Sequence, residues 1–229
     1  MDTANPWFYC PGLHPGENGL EDEEARHAAA ARRLGAGDAV TLFDGAGRLG
    51  AGTISALGRH AAAVTVPEVV VQEPPARALT VATALPKGKR WQFLVEKLTE
   101  LGAAVITPVK FSRSVVTGSD PENAVRWARE ACKQCRRARL PEITPEIPLE
   151  KFLAGARAET MLFLAAPGGE KLSRADCRAA AVIVGPEGGL TAAETAACLE
   201  TGARALTLGP HILRVETAAL AAAAVLGNW

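Results

Sequence analysis

Two segments near the end of the chain combine the residue types that a small-ligand site requires. Gly185-Pro186-Glu187-Gly188-Gly189 and the segment 208–218 (LGPHILRVETA) each follow a short apolar run. Glycine has no Cβ, so a ligand can approach the main-chain N–H and C=O groups closely. The lysine and Ser/Thr of a phosphate-binding loop are missing, so a phosphate site is excluded. The first segment alone predicts a tight turn, whereas the pair favours a pocket that reads an adenine edge and a ribose.

The second segment adds charged groups to this predicted pocket. Its apolar residues would form a wall, and Gly209 would let two chain segments pass closely. Arg214 and Glu216 stand at the start of a predicted helix. One interpretation is that they take part in catalysis. The other is that they form an ordinary ion pair, with Glu216 stabilised at the helix N-terminus by the helix dipole. The residues alone leave both interpretations open.

A third group of candidates lies on a helix predicted from Pro121 to Arg139. Arg126, Arg129, Lys133 and Arg136 are spaced to form one continuous stripe on that helix. A charged stripe is usually a solvated helix face. This stripe contains no acidic residue, so contact with phosphate groups is the competing interpretation.

The charge distribution favours a polyanionic partner for the middle of the chain. The whole chain has 25 basic and 25 acidic side chains, a balance that by itself argues against nucleic acid. Residues 76–141 nevertheless hold 13 basic and 5 acidic side chains, a net charge of +8. A local field of that sign attracts a polyanion. Lys87, Lys89 and Arg90 belong to the same region.

Length and composition favour a globular protein with one large domain, or a medium domain and a small companion. The 229 residues are 48% hydrophobic, and no apolar run reaches the roughly 18 residues of a membrane-spanning helix. The N-terminus lacks a signal-peptide pattern, so we expect a cytoplasmic protein. Five scattered cysteines do not form a disulfide framework, and Cys132-x-x-Cys135 lacks the further ligands of a zinc site.

The N-terminal third of the chain is predicted to be small and mostly β. Alternating apolar residues on either side of a glycine-rich turn indicate a hairpin. The predicted elements are strands at 40–43, 52–55 and 62–66, a hairpin turn at 44–47 and a helix at 21–34.

This region also contains Gly45-x-Gly47-x-x-Gly50, a formal match to the dinucleotide-binding fingerprint. That fingerprint requires a helix after its third glycine, whereas a strand pattern follows here, so we reject it as a cofactor site. Consecutive prolines then indicate a linker at 72–75.

From Ala78 onward, apolar runs of strand length alternate with helical periodicity. Such alternation predicts an α/β fold with a mostly parallel sheet covered on both faces. The capping box Thr191-x-x-Glu194 marks one helix start. The predicted strands are 78–85, 105–109, 161–165, 180–184 and 205–208, and the predicted helices are 91–101, 121–139, 191–202 and 216–226.

Both glycine-containing segments match the motifs of a known family. The chain resembles the RsmE family of SPOUT methyltransferases, whose members carry a Gly-Pro-Glu-Gly-Gly loop and a later Leu-Gly-x-x-Ile-Leu-Arg-x-Glu-Thr-Ala segment. The resemblance covers almost the whole chain and is strongest from Lys87 onward. Further similar segments are Glu96-Lys97-x-Thr99-Glu100-Leu101-Gly102, Arg113-Ser114-Val115-Val116 and Glu130-Ala131-x-x-Gln134.

The resemblance implies a fold and an activity. Residues 1–72 would form a PUA-like β-barrel that binds RNA, and residues 73–229 a SPOUT domain whose C-terminal segment forms a deep trefoil knot. The knot would hold S-adenosylmethionine, and two subunits would pair around it. The implied reaction is methyl transfer from S-adenosylmethionine to N3 of a uridine in small-subunit (16S) ribosomal RNA.

The resemblance and the residue chemistry together assign the candidate site residues. The N3–H group is weakly acidic, so a cation near O2 or O4 would stabilise the anion and a carboxylate would accept the proton, without a metal. The candidate catalytic residues are Arg214, Arg113, Glu130 and Glu216. The candidate cofactor-binding residues are Gly185, Pro186, Glu187, Gly188, Gly189, Leu190, Leu208, Gly209, Ile212, Leu213, Thr217 and Ala218. The candidate RNA-binding residues are Lys87, Lys89, Arg90, Arg126, Arg129, Lys133, Arg136 and Arg33.

Some residues depart from the family pattern, mostly where RNA contacts are expected. Pro6-Trp7-Phe8 replaces a Pro-Arg-Phe start, His211 replaces an arginine, and Arg32 replaces a leucine beside Arg33. Two alternatives stay open: another SPOUT enzyme, such as a ribose 2′-O-methyltransferase, and a non-catalytic RNA-binding module.

Overall fold

The computed structural model describes residues 5–31, 34–75, 77–156, 159–171 and 179–227. The chain forms two compact units. The first consists of Met1–Pro74 and Arg129–Leu140, and the second of Pro75–Ala128 and Pro141–Trp229. The division predicted from sequence, at residue 72, did not anticipate that a segment from the middle of the chain belongs to the first unit.

The first unit is built on a six-stranded sheet with the order β1-β3-β4-β5-β2, and β6 pairs with β4. The predicted hairpin is confirmed as the antiparallel pair β3–β4, although β4 begins before the predicted Gly52. Phe8, Leu42 and Val64 are buried in its apolar core. Its strands are β1 (Trp7–Tyr9), β2 (Gly16–Leu20), β3 (Ala39–Phe43), β4 (Arg48–Leu57), β5 (Ala62–Val66) and β6 (Val70–Val71).

The predicted helix at 21–34 is present in a shorter and less regular form. Helix α1 (Asp22–Arg26) continues into a π-helical turn, His27–Ala31. Arg33, a predicted RNA contact, lies outside the described residues, as does Arg32.

Residues 129–140 complete the first unit along the turn of the hairpin. Gly47 N donates to the Ala138 carbonyl (3.1 Å), and Leu140 N donates to the Gly45 carbonyl (2.9 Å). A Cβ on Gly47 would lie only 2.6 Å from the guanidinium carbon of Arg139. Gly45 and Gly47 of the rejected fingerprint therefore make room for Leu140 and Arg139 of the protein itself.

The second unit contains a parallel seven-stranded sheet with the order β10-β8-β7-β12-β11-β13, and β9 pairs with β8. The predicted α/β class is confirmed. The central strand β12 is buried from Ala180 to Val184, as its continuous apolar run requires. The strands are β7 (Ala78–Thr83), β8 (Val105–Lys110), β9 (Glu142–Ile143), β10 (Ile147–Pro148), β11 (Met161–Glu170), β12 (Ala179–Val184) and β13 (Arg204–Leu206).

The long helix α3 ends earlier than the sequence predicts, at Cys135 rather than Arg139. Arg136 has a positive φ of 61°, and Arg137 N donates to the Cys132 carbonyl (3.1 Å). This pairing terminates a helix in the manner of a Schellman motif, which usually has glycine where Arg136 stands. The remaining helices are α2 (Lys89–Glu100), α4 (Leu149–Ala154), α5 (Ala192–Glu200) and α6 (Val215–Leu226). No helix in the described part of the chain has both the length and the apolar character needed to cross a membrane.

Candidate active site

A cleft lies where the carboxyl ends of three adjacent strands, β8, β7 and β12, meet in the second unit. Ligands of open α/β sheets bind at this edge. The cleft has a volume of about 430 Å³, within the range of small-molecule sites. Its lining residues come from four segments of the chain and are Lys87, Arg90, Val115, Glu187 and Arg214.

The Gly-Pro-Glu-Gly-Gly loop after β12 is folded tightly on itself. A Cβ on Gly185 would collide with Cδ1 of Leu190, so the glycine lets that leucine close the loop. Gly189 N donates to the Pro186 carbonyl (2.8 Å) to form a turn. The sequence interpretation assigned these glycines to ligand approach, whereas at Gly185 the close neighbour is Leu190.

Arg113, predicted as a catalytic cation, reaches this loop from the segment after β8. Its Nη1 donates to the Gly188 carbonyl (2.9 Å). The Arg113 guanidinium therefore holds the loop through its main chain, and it is not among the residues that line the cleft.

Glu194 ties the same two segments together at the start of α5. The predicted capping box is confirmed, and the Glu194 carboxylate also accepts from Ser112 N (2.7 Å). Burial disfavours its ionised form, but hydrogen bonds from Ser112 and Thr191 outweigh burial and lower the pKa of Glu194. The sequence revealed only the cap, because the partner Ser112 is far away along the chain.

Arg90 lies between two carboxylates of the cleft. Its Nη2 is 3.9 Å from Glu187 Oε1, and its Nη1 is 3.6 Å from Glu216 Oε1. Glu216 stands in the first turn of α6 and is only 7% exposed. Its second oxygen, Oε2, is buried and has no hydrogen-bond partner among the described residues.

Lys87 and Arg214 are the two basic side chains of the cleft that bind no other residue in the described part of the chain. Both are exposed, and neither side chain forms a hydrogen bond or ion pair with any residue that the structure describes. Arg214 is the N-cap residue of α6, but its side chain makes no capping bond. The cleft therefore presents two cations that are available to a ligand.

The second glycine-containing segment is much more open than the first. Nothing lies within 4 Å of a Cβ on Gly209, so the predicted close passage of two chain segments at this position is wrong. Ile212 is 95% exposed instead of lining an apolar wall. The other predicted cofactor contacts in this region, Leu208, Leu213, Thr217 and Ala218, range from half-buried to exposed.

The predicted basic stripe separates into engaged and exposed members. Lys133 is paired with Glu24, and their side chains are only 7% and 6% exposed. Arg129 lies 4.0 Å above the ring of Tyr9. Both residues therefore serve the packing of the first unit, and we remove them from the proposed RNA contacts.

The remaining predicted contacts are placed differently. Arg126 and Lys89 are exposed, whereas Arg136 is exposed but lies beyond the end of α3 and off the predicted stripe. Glu130, a candidate proton acceptor, belongs to the first unit, where it pairs with Lys133. It is not among the residues that line the cleft.

Cys132, in α3, lies in surroundings that suppress the reactivity of its thiol. Burial raises the pKa of the Cys132 thiol to about 12, which suppresses the nucleophilic thiolate. Cys132 packs with Phe43 in an apolar cluster of the first unit, the environment of a buried core residue.

Comparison with known proteins identifies related sequences for both units. An RNA methyltransferase domain model matches residues 72–227, and an RNA methyltransferase PUA domain model matches residues 20–66. The ribosomal RNA small subunit methyltransferase E of Mycobacterium tuberculosis is 32% identical over 222 residues, which cover 91% of this chain and 85% of the relative.

Solved structures show the same similarity. Ribosomal RNA small subunit methyltransferase E from Neisseria gonorrhoeae, bound to S-adenosyl methionine, has a TM-score of 0.89 and 31% identity, covering 96% of this chain and 95% of the other. A protein from Legionella pneumophila in complex with its cofactor SAM has a TM-score of 0.87 and 29% identity, covering 97% of both chains. The protein described here belongs to the ribosomal RNA small subunit methyltransferase E family of RNA methyltransferases.

Proposed function

We propose that the protein transfers a methyl group from S-adenosylmethionine to N3 of a uridine in small-subunit ribosomal RNA. The observation that carries the proposal is the cleft, because it joins the Gly-Pro-Glu-Gly-Gly loop to Arg214 of the second motif. Family membership supplies the reaction class, and the named relatives support the ribosomal substrate.

The residues at the cleft fit the chemical groups of this cofactor. Val115, which lines the cleft, is an exposed apolar side chain that an adenine ring can cover, and Ile212 of the second motif is a further exposed apolar side chain. The buried, unpartnered Oε2 of Glu216 is an acceptor that needs a donor, such as an amino or hydroxyl group. We therefore keep the predicted cofactor residues of both segments as proposals. When bound, S-adenosylmethionine supplies an electrophilic methyl group on its sulfonium.

Arg214 is the cation best placed to act on the uridine. Loss of the N3 proton leaves a negative charge shared with O2 and O4, and a preorganised guanidinium stabilises such charge. Arg214 lines the cleft and has no competing partner among the described residues, whereas Arg113 already donates to the Gly188 carbonyl. Of the two predicted proton acceptors, Glu216 is the one beside Arg90, and we retain it.

The exposed basic residues provide the proposed RNA contacts. Lys87, Lys89, Arg126 and Arg136 are exposed and belong to the segment with net charge +8. We expect them to contact phosphates, so that affinity falls as the salt concentration rises. Arg33 stays a prediction.

We also propose the assembly that the family resemblance implies. The C-terminal segment would form a trefoil knot, the first unit a closed PUA-like barrel, and two copies a homodimer. The exposed large apolar side chains of the second unit support the proposed dimer, because a partner could cover them; they include Phe93, Leu199, Ile212 and Val225. Light scattering tests the dimer. We propose a cytoplasmic location, because the proposed substrate is ribosomal.

The decisive experiment is methyl transfer to small subunits that lack the modification. Labelled S-adenosylmethionine, followed by digestion to nucleosides, should give N3-methyluridine, and mapping of the intact RNA should give one modified position. Ribose-methylated product would support the 2′-O alternative, and absence of cofactor binding would support the non-catalytic module. Either result would refute the proposal.

Arg214→Ala tests the assigned cation. We expect kcat to fall about 100-fold, the size typical of losing one transition-state charge contact. The melting temperature should not change, because Arg214 is exposed and has no described partner. Lys151→Ala, at an exposed site on α4, is the control. A wild-type rate in Arg214→Ala would contradict the assignment.

A further inference from the structure

Arg90, a predicted RNA contact, lines the cleft and faces two carboxylates from different segments of the second unit. Glu187 belongs to the Gly-Pro-Glu-Gly-Gly loop after β12, and Glu216 belongs to the first turn of α6. We infer that Arg90 is a positioning residue that couples these two walls of the cleft rather than a phosphate contact. The inference rests on the proposed use of S-adenosylmethionine in this cleft.

The Arg90 side chain is held at three points. Its Nε donates to the Lys87 carbonyl (3.3 Å), which fixes the guanidinium beside the start of α2. Its two terminal nitrogens then lie within ion-pair range of Glu187 and Glu216, at 3.9 and 3.6 Å. One rigid, planar group therefore faces both walls at once.

The burial of Glu216 makes this arrangement energetically significant. A buried carboxylate is unfavourable unless nearby groups compensate its charge. The N-terminus of α6 provides one such group through its dipole, and Arg90 provides the other. Without Arg90, the charge of Glu216 loses the only cation that the described residues place within 4 Å of it.

Removal of Arg90 would also bring two like charges into opposition. Glu187 and Glu216 both approach the same guanidinium, so they are close to each other and repel once the cation is gone. Glu187 is on an exposed loop, whereas Glu216 is fixed in a helix. We therefore expect the loop to move away from α6 and the cleft to widen.

This mechanism predicts a specific defect in cofactor binding. Arg90→Met should weaken binding of S-adenosylmethionine and S-adenosylhomocysteine, measured by titration calorimetry, by about tenfold, a modest loss because the Arg90 side chain is partly exposed. Arg90→Lys should restore most of the affinity, because it keeps the charge. The KM for S-adenosylmethionine should rise, while the KM for RNA and its salt dependence stay unchanged. Lys151→Met is the control, since it removes an exposed cation away from the cleft.

Double-mutant cycles test the coupling itself. Glu216→Gln or Glu187→Gln in the Arg90→Met background should restore part of the lost affinity, because each removes a charge that Arg90 compensated. Additive effects in both cycles would overturn the inference. A raised KM for RNA with unchanged cofactor affinity would also overturn it, and would return Arg90 to the RNA contacts.

A measurement without any ligand separates this inference from the proposed function. Amide hydrogen exchange in residues 187–190 should be faster in Arg90→Met than in the wild type or Lys151→Met. If the wild type binds no S-adenosylmethionine, the proposed function fails, but faster exchange still supports the coupling. Unchanged exchange in Arg90→Met refutes the coupling even if the enzyme is active.

Discussion

The two glycine-containing segments of the second unit both carry a Gly-Pro pair after an apolar run, but they differ in how they are supported. The loop 185–190 is braced by Leu190 from within, by Arg113 through the Gly188 carbonyl and by Arg90 through Glu187. The segment 207–214 has open space around Gly209 and exposes Ile212 almost completely. The first segment thus needs Gly185 in order to fold, whereas the second has residues that its own fold does not use. Such residues are the better indicators of a ligand or partner.

The largest expected difference between the segments is in their tolerance of alanine. Gly185→Ala should lower the free energy of unfolding by about 1–3 kcal/mol, because its Cβ collides with Leu190 and overpacks the loop. Gly209→Ala should leave stability unchanged, because its Cβ meets no atom. Chemical denaturation of both variants measures the difference. Equal destabilisation would show that the two segments are equally constrained.

Arg113→Ala tests the brace from the β8 loop. The loss of one hydrogen bond from a charged donor should lower stability by about 1 kcal/mol, less than the full value because the site is exposed. Amide exchange in residues 187–190 should become faster. The Arg214→Ala variant should show neither effect. A similar change in both variants would contradict the view that Arg113 holds the loop while Arg214 is free to bind a ligand.

A pH titration tests the hydrogen bonds by which Glu194 holds Ser112 and Thr191. Because hydrogen bonds lower its pKa from 4.5 in the folded state, ionised Glu194 contributes stability above about pH 4.5, and this contribution is lost as the pH falls through the folded pKa. The melting temperature should therefore drop below pH 4.5 in the wild type. The drop should be smaller in Glu194→Gln, while Glu200→Gln on the same helix controls for the lost charge. An identical drop in all three proteins would argue against this role.

The smallest expected effect concerns the open segment. Ile212→Ser should not change the melting temperature, since the side chain is 95% exposed. It should weaken binding of S-adenosylmethionine a few-fold, or shift the dimer equilibrium, because a covering group loses apolar contact. Calorimetry and light scattering distinguish these results. If neither quantity changes, Ile212 is not part of a covered surface.

Local sequence signals predicted much of this fold. The apolar run 180–184 indicated the central strand, the turn 44–47 indicated the hairpin, and Thr191-x-x-Glu194 indicated a helix start. Each signal depends on neighbouring residues only. The end of α3 was missed because Arg136 occupies a left-handed position where glycine is the usual signal.

Features that depend on distant residues could not be predicted. The sequence predicted that Lys133 is solvated or binds RNA. Its actual partner, Glu24, could not be recognised because it is 109 positions away along the chain. The pairing of Arg90 with Glu187 and Glu216 likewise appears only when three segments meet at one edge of the sheet. Spacing along one helix defines a stripe, but it does not show which members of the stripe another element will cover.

The discontinuous first unit has a consequence for how the chain folds during synthesis. Residues Gly45 and Gln72 bond to Leu140 and Arg139, so the N-terminal unit lacks part of its own structure until residue 140 has been made. At about 5–20 residues per second, this delay lasts several seconds, during which the hairpin edge is uncovered. A fragment cut at the 72–75 linker would remain permanently in that unfinished state. Part of the second unit is therefore synthesised before the first unit is complete.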